Sequence, residues 1–182
     1  MFEQFKTKAE IVSAEVHRFP TGAEALDWIV GFLVEEGVAD EPKKYAVWAR
    51  CPFLDTIDRQ QLEAIPGVKL EATRELAADA HVGLSQMDWA LADTGTLVQD
   101  ATAVDQRLVS TLPTIHVALI ATDGLRPDMP TWLADADPAR MGYLSMITGP
   151  SRTADIERVL TIGVHGPVRL IIIFVDELGR TN

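Results

Sequence analysis

Cysteine occurs once in this 182-residue chain, at Cys51. One thiol closes no intrachain disulfide and cannot hold a cysteine-ligated iron–sulfur cluster. Followed by Pro52 and with no base near it in sequence, it reads as a small buried hydrophobe. Lysine is absent after Lys69, so every strong cation beyond that point is an arginine. Carboxylates outnumber cations 27 to 16, a net charge of −11, and no Lys/Arg cluster interrupts the excess. Such a field repels phosphate backbones, which argues against nucleic acid as a partner. Long apolar runs are missing too: the strongest, Leu170–Val175, falls far short of the ~20 residues of a membrane span. The first twenty residues, MFEQFKTKAEIVSAEVHRFP, carry charges throughout and no hydrophobic signal segment. A soluble cytoplasmic protein is therefore expected. No G-x-S-x-G, Walker or GxGxxG pattern occurs, and Asp93, His116 and His165 offer no pair at zinc or di-iron spacing, so no metal site is expected.

What is present fits one globular domain. The chain is 47% hydrophobic and 24% charged, which argues against disorder. Thr21-Gly22-Ala23-Glu24 is a capping box opening a helix with Leu26, Ile29, Val30 and Leu33 on one face and Gly37 as its stop. Tyr45–Ala49 reads as a strand, Asp55 or Thr56 as the cap of a short helix, and Val68–Leu70 as a strand. A helix over residues 73–80 and a strand over Val82–Leu84 continue the alternation. Strand and helix in alternation predict an α/β fold, a mostly parallel sheet with helices on both faces. Thr96–Gln99, Thr114–Ala121, Leu144–Thr148 and Leu170–Val175 supply further strands, and Asp128-Met129-Pro130 opens a helix through Trp132. The LIIIFV run of Leu170–Val175, like Val159–Ile162, has the composition of a strand buried on both faces. Residues 1–20 read as an N-terminal arm and 21–182 as the domain.

Three Gly-containing turns carry the candidate chemistry. In Ala92-Asp93-Thr94-Gly95-Thr96, Gly95 permits close backbone approach and Thr94 and Thr96 offer hydroxyls, the makings of an anion nest; a strand-connecting turn asks for the same residues. In Gly149-Pro150-Ser151-Arg152-Thr153, Ser151 or Thr153 would cap a short helix whose free N–H groups, with Arg152, bind a carboxylate or phosphate; a plain capped helix is the alternative. In Gly163-Val164-His165-Gly166-Pro167, His165 is placed to act as acid, base or donor, or simply as a hydrogen-bonded turn residue. Arg107 is a second candidate clamp. His116, inside a strand, reads as a core histidine. Turns beside strands in an open α/β sheet point to one shared crevice at strand ends.

ADTGTLV, then Arg107 and LPTIHVALI, then ITGPSRTADIE and GVHGP, resemble in order and spacing the signature of the LUD domain, the domain of lactate-utilisation proteins, over residues 82–175. Residues 1–80 match only in alternating character. The resemblance implies a fold similar to ribose-5-phosphate isomerase, CoA-transferases and formyltetrahydrofolate cyclo-ligase. It also implies a part in oxidising L-lactate to pyruvate beside two iron–sulfur partner proteins, which alone would carry the clusters, leaving this chain without a cofactor of its own. Family members usually carry Glu where this chain has Asp93. In similar folds with CoA-transferase activity a glutamate is the nucleophile, and the shorter Asp93 sets its carboxylate back, which argues against that mechanism.

Three functions stand open at this point. One is an accessory subunit of a lactate-oxidising complex. Another is an enzyme acting on a phosphorylated or CoA-linked small carboxylate, with Asp93 or His165 as catalytic base and Arg107 and Arg152 as clamps. The third is a small-anion sensor. Fold kinship does not choose among them.

Overall fold

The computed structural model describes residues 1–153 and 161–178. Along the chain run α1 (Phe2–Ile11), β1 (Ala14–Phe19), α2 (Gly22–Glu35), β2 (Tyr45–Trp48), α3 (Phe53–Thr56), α4 (Gln60–Glu63) and β3 (Val68–Lys69). They are followed by α5 (Arg74–Ala78), β4 (Ala80–Met87), β5 (Trp89–Leu91), β6 (Thr96–Asp100), α6 (Val104–Thr111) and β7 (Ile115–Ala121). The last part holds β8 (Leu125–Arg126), α7 (Met129–Asp135), β9 (Leu144–Ile147), β10 (Arg152–Thr153), β11 (Thr161–Ile162) and β12 (Arg169–Val175).

Six strands form one sheet in the order β1-β12-β7-β4-β2-β3, and every neighbouring pair in it is parallel. β8-β5-β6-β9 form a smaller mixed sheet, and β10 pairs with β11. The expected α/β architecture is present, with one addition. The first face of the large sheet presents Val82, Leu84, Val117, Leu119, Ile171 and Ile173 to α2 and its neighbours. α2 is made for this: Leu26, Ile29, Phe32 and Leu33 recur at helical spacing and are buried. The Thr21 hydroxyl caps it by accepting from the Glu24 N–H, and Gly37 at φ +70° ends it. The second face presents Ala118, Ile120, Leu170, Ile172 and Phe174 to α1 and the small sheet. Farther along that face Val47 and Ala80 pack with Val109 of α6. Helices thus lie on both faces, and a second sheet shares one of them. α7 closes the outside of the small sheet, where Trp132 meets Trp89 edge-on at 5.7 Å.

Two expectations need correction. Residues 1–20 are no arm. Phe5 and Ala9 of α1 are fully buried, and Phe2 and Phe5 both meet the Phe174 ring edge-on. β1 is the edge strand of the large sheet, paired from Ala14↔Leu170 to Phe19↔Val175. The charges that disguised this helix all lie off its Phe2-Phe5-Ala9 stripe. The helix expected from Asp55 or Thr56 is two shorter ones, beginning at Phe53 and Gln60, because Phe53, Leu54 and Leu62 each turn inward. The buried strand expected at Val159–Ile162 lies largely outside the described residues; within them, Thr161–Ile162 is β11.

Gly95 shows how tightly α1 is docked. It lies at φ +69°, and a Cβ there would stand 2.5 Å from the Ala9 nitrogen. Truncating Phe5 to Ala is therefore expected to lower the unfolding free energy by about 3–5 kcal/mol in chemical denaturation, as for a core phenylalanine. A loss below about 0.5 kcal/mol, typical of a surface change, would return residues 1–20 to the status of an arm.

Candidate functional site

A crevice of 310 Å³ opens where the amino ends of β7 and β12 meet the small sheet. His116 and Leu170, the second residues of those strands, are register partners and line it together. Ser110 and Thr111, the last residues of α6, form another wall. β9 and the loop after it contribute Ser145, Met146 and Thr148, and the Gly149–Ser151 and His165–Gly166 turns close the rim. Those two turns touch: a Cβ on Gly166 would stand 3.1 Å from the Ser151 Cβ. β10 and β11 add to the same clasp, with the Gly163 N–H donating to the Ser151 carbonyl at 2.8 Å.

Open parallel sheets commonly take ligands at the carboxyl ends of their strands. Here those of β2 and β4 are filled by amides. Gln86 accepts from the Phe53 N–H at 2.9 Å, Gln99 donates to the Gln86 carbonyl at 2.7 Å and to Gln106, and Gln106 donates to the Arg50 carbonyl at 2.8 Å. Another hollow, at the carboxyl end of β12 beside Thr21 and Glu177, contains none of the candidate residues. Its Thr21 hydroxyl is already engaged in capping α2.

At the floor of the crevice His116 is 1% exposed, and its Nε2 is 2.8 Å from the Ser85 Oγ, itself fully buried on β4. Burial pushes the His116 imidazole down to about 4, so it is neutral at physiological pH. Sequence reasoning had placed this residue in the core. The placement is right, but the function it left out is that the ring also lines a cavity. The available signal was Ser85 amid the buried stretch of β4 and His116 as the one polar residue of β7.

The sequence candidates divide. Gly149, Ser151, His165 and Gly166 line the crevice. Thr96 stands behind its wall, its hydroxyl 2.8 Å from that of the lining Thr148. Asp93, Thr94 and Gly95 are the tip of the β5–β6 hairpin, packed under α1. The Asp93 N–H donates to the Pro127 carbonyl at 3.0 Å, while its Oδ1 is buried without a hydrogen-bond partner among the described residues. The strand-connecting reading of this segment is the one the geometry supports. Arg107 turns away: its Nη1 donates to the carbonyls of Ala101 and Thr102, and its guanidinium lies over the Tyr143 ring at 4.6 Å.

Arg152 is not at a helix N-terminus. It begins β10, beside Thr153, which pairs with Thr161. The helix expected after it falls in residues 154–160, outside the described residues. Arg152 Nη2 donates to the Val12 carbonyl at 2.6 Å and to the Ser13 Oγ at 2.9 Å. Ser13 holds a left-handed φ of 70°, so this guanidinium braces a strained turn between α1 and β1. Gly149, at φ +72°, packs on the same turn; a Cβ there would stand 2.6 Å from the Val12 carbonyl. Arg169, next to the lining Leu170, is held by both oxygens of Glu15 and by Glu36. Among the described residues the crevice is therefore lined by hydroxyls, imidazoles and apolar groups and by no Asp, Glu, Lys or Arg. Among the described residues no three His, Cys, Asp or Glu side chains gather to hold a metal ion. No helix there is long and apolar enough to cross a membrane.

This fold is similar to that of a crystal structure of a DUF162 family protein from Deinococcus radiodurans. The two superimpose with a TM-score of 0.64 over 96% of this chain and 95% of that one, at 23% identity, which establishes the shared fold. The chain belongs to the LUD domain family, whose sequence model matches residues 2–175. Among curated proteins it is similar to lactate utilization protein C of Exiguobacterium, 40% identical over 59% of this chain and 50% of that protein. The same protein of Halalkalibacterium halodurans is 35% identical over 66% and 55%, and that of Bacillus pumilus 26% identical over 97% and 79%. The first two matches thus span about half the length of those relatives.

Two outcomes follow for the residues described. Replacing Arg152 by Ala removes two hydrogen bonds from the α1–β1 turn. It should cost about 1–2 kcal/mol and speed amide exchange around Val12 and Ser13; unchanged exchange there would refute the bracing role. His116 ties stability to pH. The unfolded chain protonates near 6.5 and the folded one only near 4, so stability is lost as pH falls through that window and levels off below it. The loss attributable to this residue is about 3 kcal/mol. Urea denaturation at pH 7, 5.5 and 4 should show it in the wild-type chain and not in His116→Gln. Parallel pH profiles for the two proteins would contradict it.

Proposed function

We propose that this protein is an accessory subunit in the oxidation of L-lactate to pyruvate, working in the cytoplasm beside iron–sulfur partner proteins and turning over no substrate alone. Membership of the LUD domain family over residues 2–175 carries the reading, and the relatives named lactate utilization protein C give it its pathway. On this reading the clusters belong to the partners and the chain has no cofactor of its own; its single cysteine fits that division of labour.

The rival reading, an enzyme acting on a phosphorylated or CoA-linked carboxylate, loses support from three of the four side chains assigned to it; only His165 lines the crevice. Arg107 and Arg152 hold backbone carbonyls, and Asp93 lies outside the crevice. A dianionic phosphate in a chain of net charge −11 needs cations that the described residues of this cavity do not supply.

Coexpression with the iron–sulfur proteins of lactate oxidation tests the proposal. The chain should copurify with them, and lactate oxidation by the assembly should fall when it is left out. Full oxidation without the chain, or no copurification, would overturn the accessory role.

A further inference from the structure

We propose that the crevice at the amino ends of β7 and β12 binds a small monocarboxylate, with His116 as the group that grips it and Ser85 as the residue that positions His116. The class of ligand rests on the lactate-linked function above; the site itself is argued from its geometry.

Size comes first. A cavity of 310 Å³ lies at the lower end of small-molecule sites, a size that suits a compact ligand. Charge comes second. With no arginine or lysine among the described residues of the lining, a single carboxylate is the anion that its neutral donors can satisfy, whereas a dianion would go uncompensated by them. The donors are present. The Ser145 and Ser151 hydroxyls make no hydrogen bond within the described residues, and His165 is exposed on the rim. Ser110 and Thr111 already donate to the Arg107 carbonyl, so they offer only acceptor capacity, which suits a ligand hydroxyl. The apolar part of the lining, Ile147, Pro167 and Leu170, fits a short hydrocarbon stub and would leave the hydroxyls of a polyol unpaired.

His116 is the decisive element. It is a buried polar side chain whose single hydrogen bond within the described residues is the one from Nε2 to Ser85. That bond fixes the ring and leaves Nδ1 without a hydrogen-bond partner among the described residues, on a side chain that lines the cavity. When the Ser85 hydroxyl donates to Nε2, Nδ1 carries the proton and donates to a carboxylate. Because burial keeps the ring neutral, it offers an uncharged N–H donor and does not attract anions at large.

The chain's four histidines make the test direct, since His116 and His165 line the crevice while His17 and His81 lie elsewhere. Histidine-labelled protein, purified without partners, is titrated with L-lactate, pyruvate, glycerol and inorganic phosphate while the ring nitrogen resonances are followed. L-lactate and pyruvate should move His116 and His165 and leave His17 and His81 in place; glycerol and phosphate should move none. His116→Gln keeps a group in reach of Ser85 but removes Nδ1, and should weaken binding about tenfold or more, read on His165. Ser85→Ala should change the His116 tautomer signature and weaken binding, and Ser85→Thr should restore both. The proposal is overturned by unmoved His116 signals up to about 50 mM carboxylate, far above a millimolar Kd. It is equally overturned by preferential phosphate or glycerol binding, or by unweakened binding in His116→Gln. No partner takes part, so carboxylate binding without copurification removes the accessory role alone, and copurification without carboxylate binding removes this site alone.

Discussion

Strand β12 has no polar face, and the architecture follows from the need to cover it twice. Ile171, Ile173 and Val175 point to one side, Leu170, Ile172 and Phe174 to the other, and all are buried. A strand of that kind belongs in the interior of a parallel sheet with a layer on each side. One layer is the amphipathic α2. The other is composite, with α1 and the small mixed sheet lying side by side. A composite layer has an end, and the crevice lies where β9 runs out beside the amino ends of β7 and β12. The site is thus a by-product of how the second face is roofed.

Patterns that repeat locally could be read from the chain. The α2 capping box, the Asp128 cap of α7 and the LIIIFV strand declare themselves through spacing or composition, and each stands where the sequence put it. The N-terminal helix was hidden because its buried face is only three residues wide and its charges dominate the composition. Its partner strand β1 gains its place from β12, some 150 residues away, and no local pattern reports such pairing.

Site residues followed the same division. Glycines flag close approaches, and Gly149 and Gly166 do mark the crevice. Gly95 marks an equally close approach that serves only to seat α1. A glycine tells that something comes near, not whether it is a ligand or a helix. Arginines mislead in a related way: Arg107 and Arg152 sit in turn-rich segments whose carbonyls need donors, and each guanidinium is anchored on them through one of its nitrogens. His116 reads from the sequence as a core histidine and nothing more, and Ser85 does not stand out at all, because both look like tolerated polar residues in buried strands, which they also are.

The brace from Arg152 to Val12 ties the beginning of the chain to the rim of the crevice. Gly149 and Ser151 belong to the rim, and the segment they form with Arg152 is clamped on the turn that ends α1. α1 is ten residues long, roughly 15 Å from Phe2 to that turn. A fusion partner or dye attached at the first residue therefore reaches the cavity wall through one rigid rod whose inner side is locked by Phe5 and Ala9. For anyone labelling this domain, the amino terminus is a lever on the site and not a neutral handle.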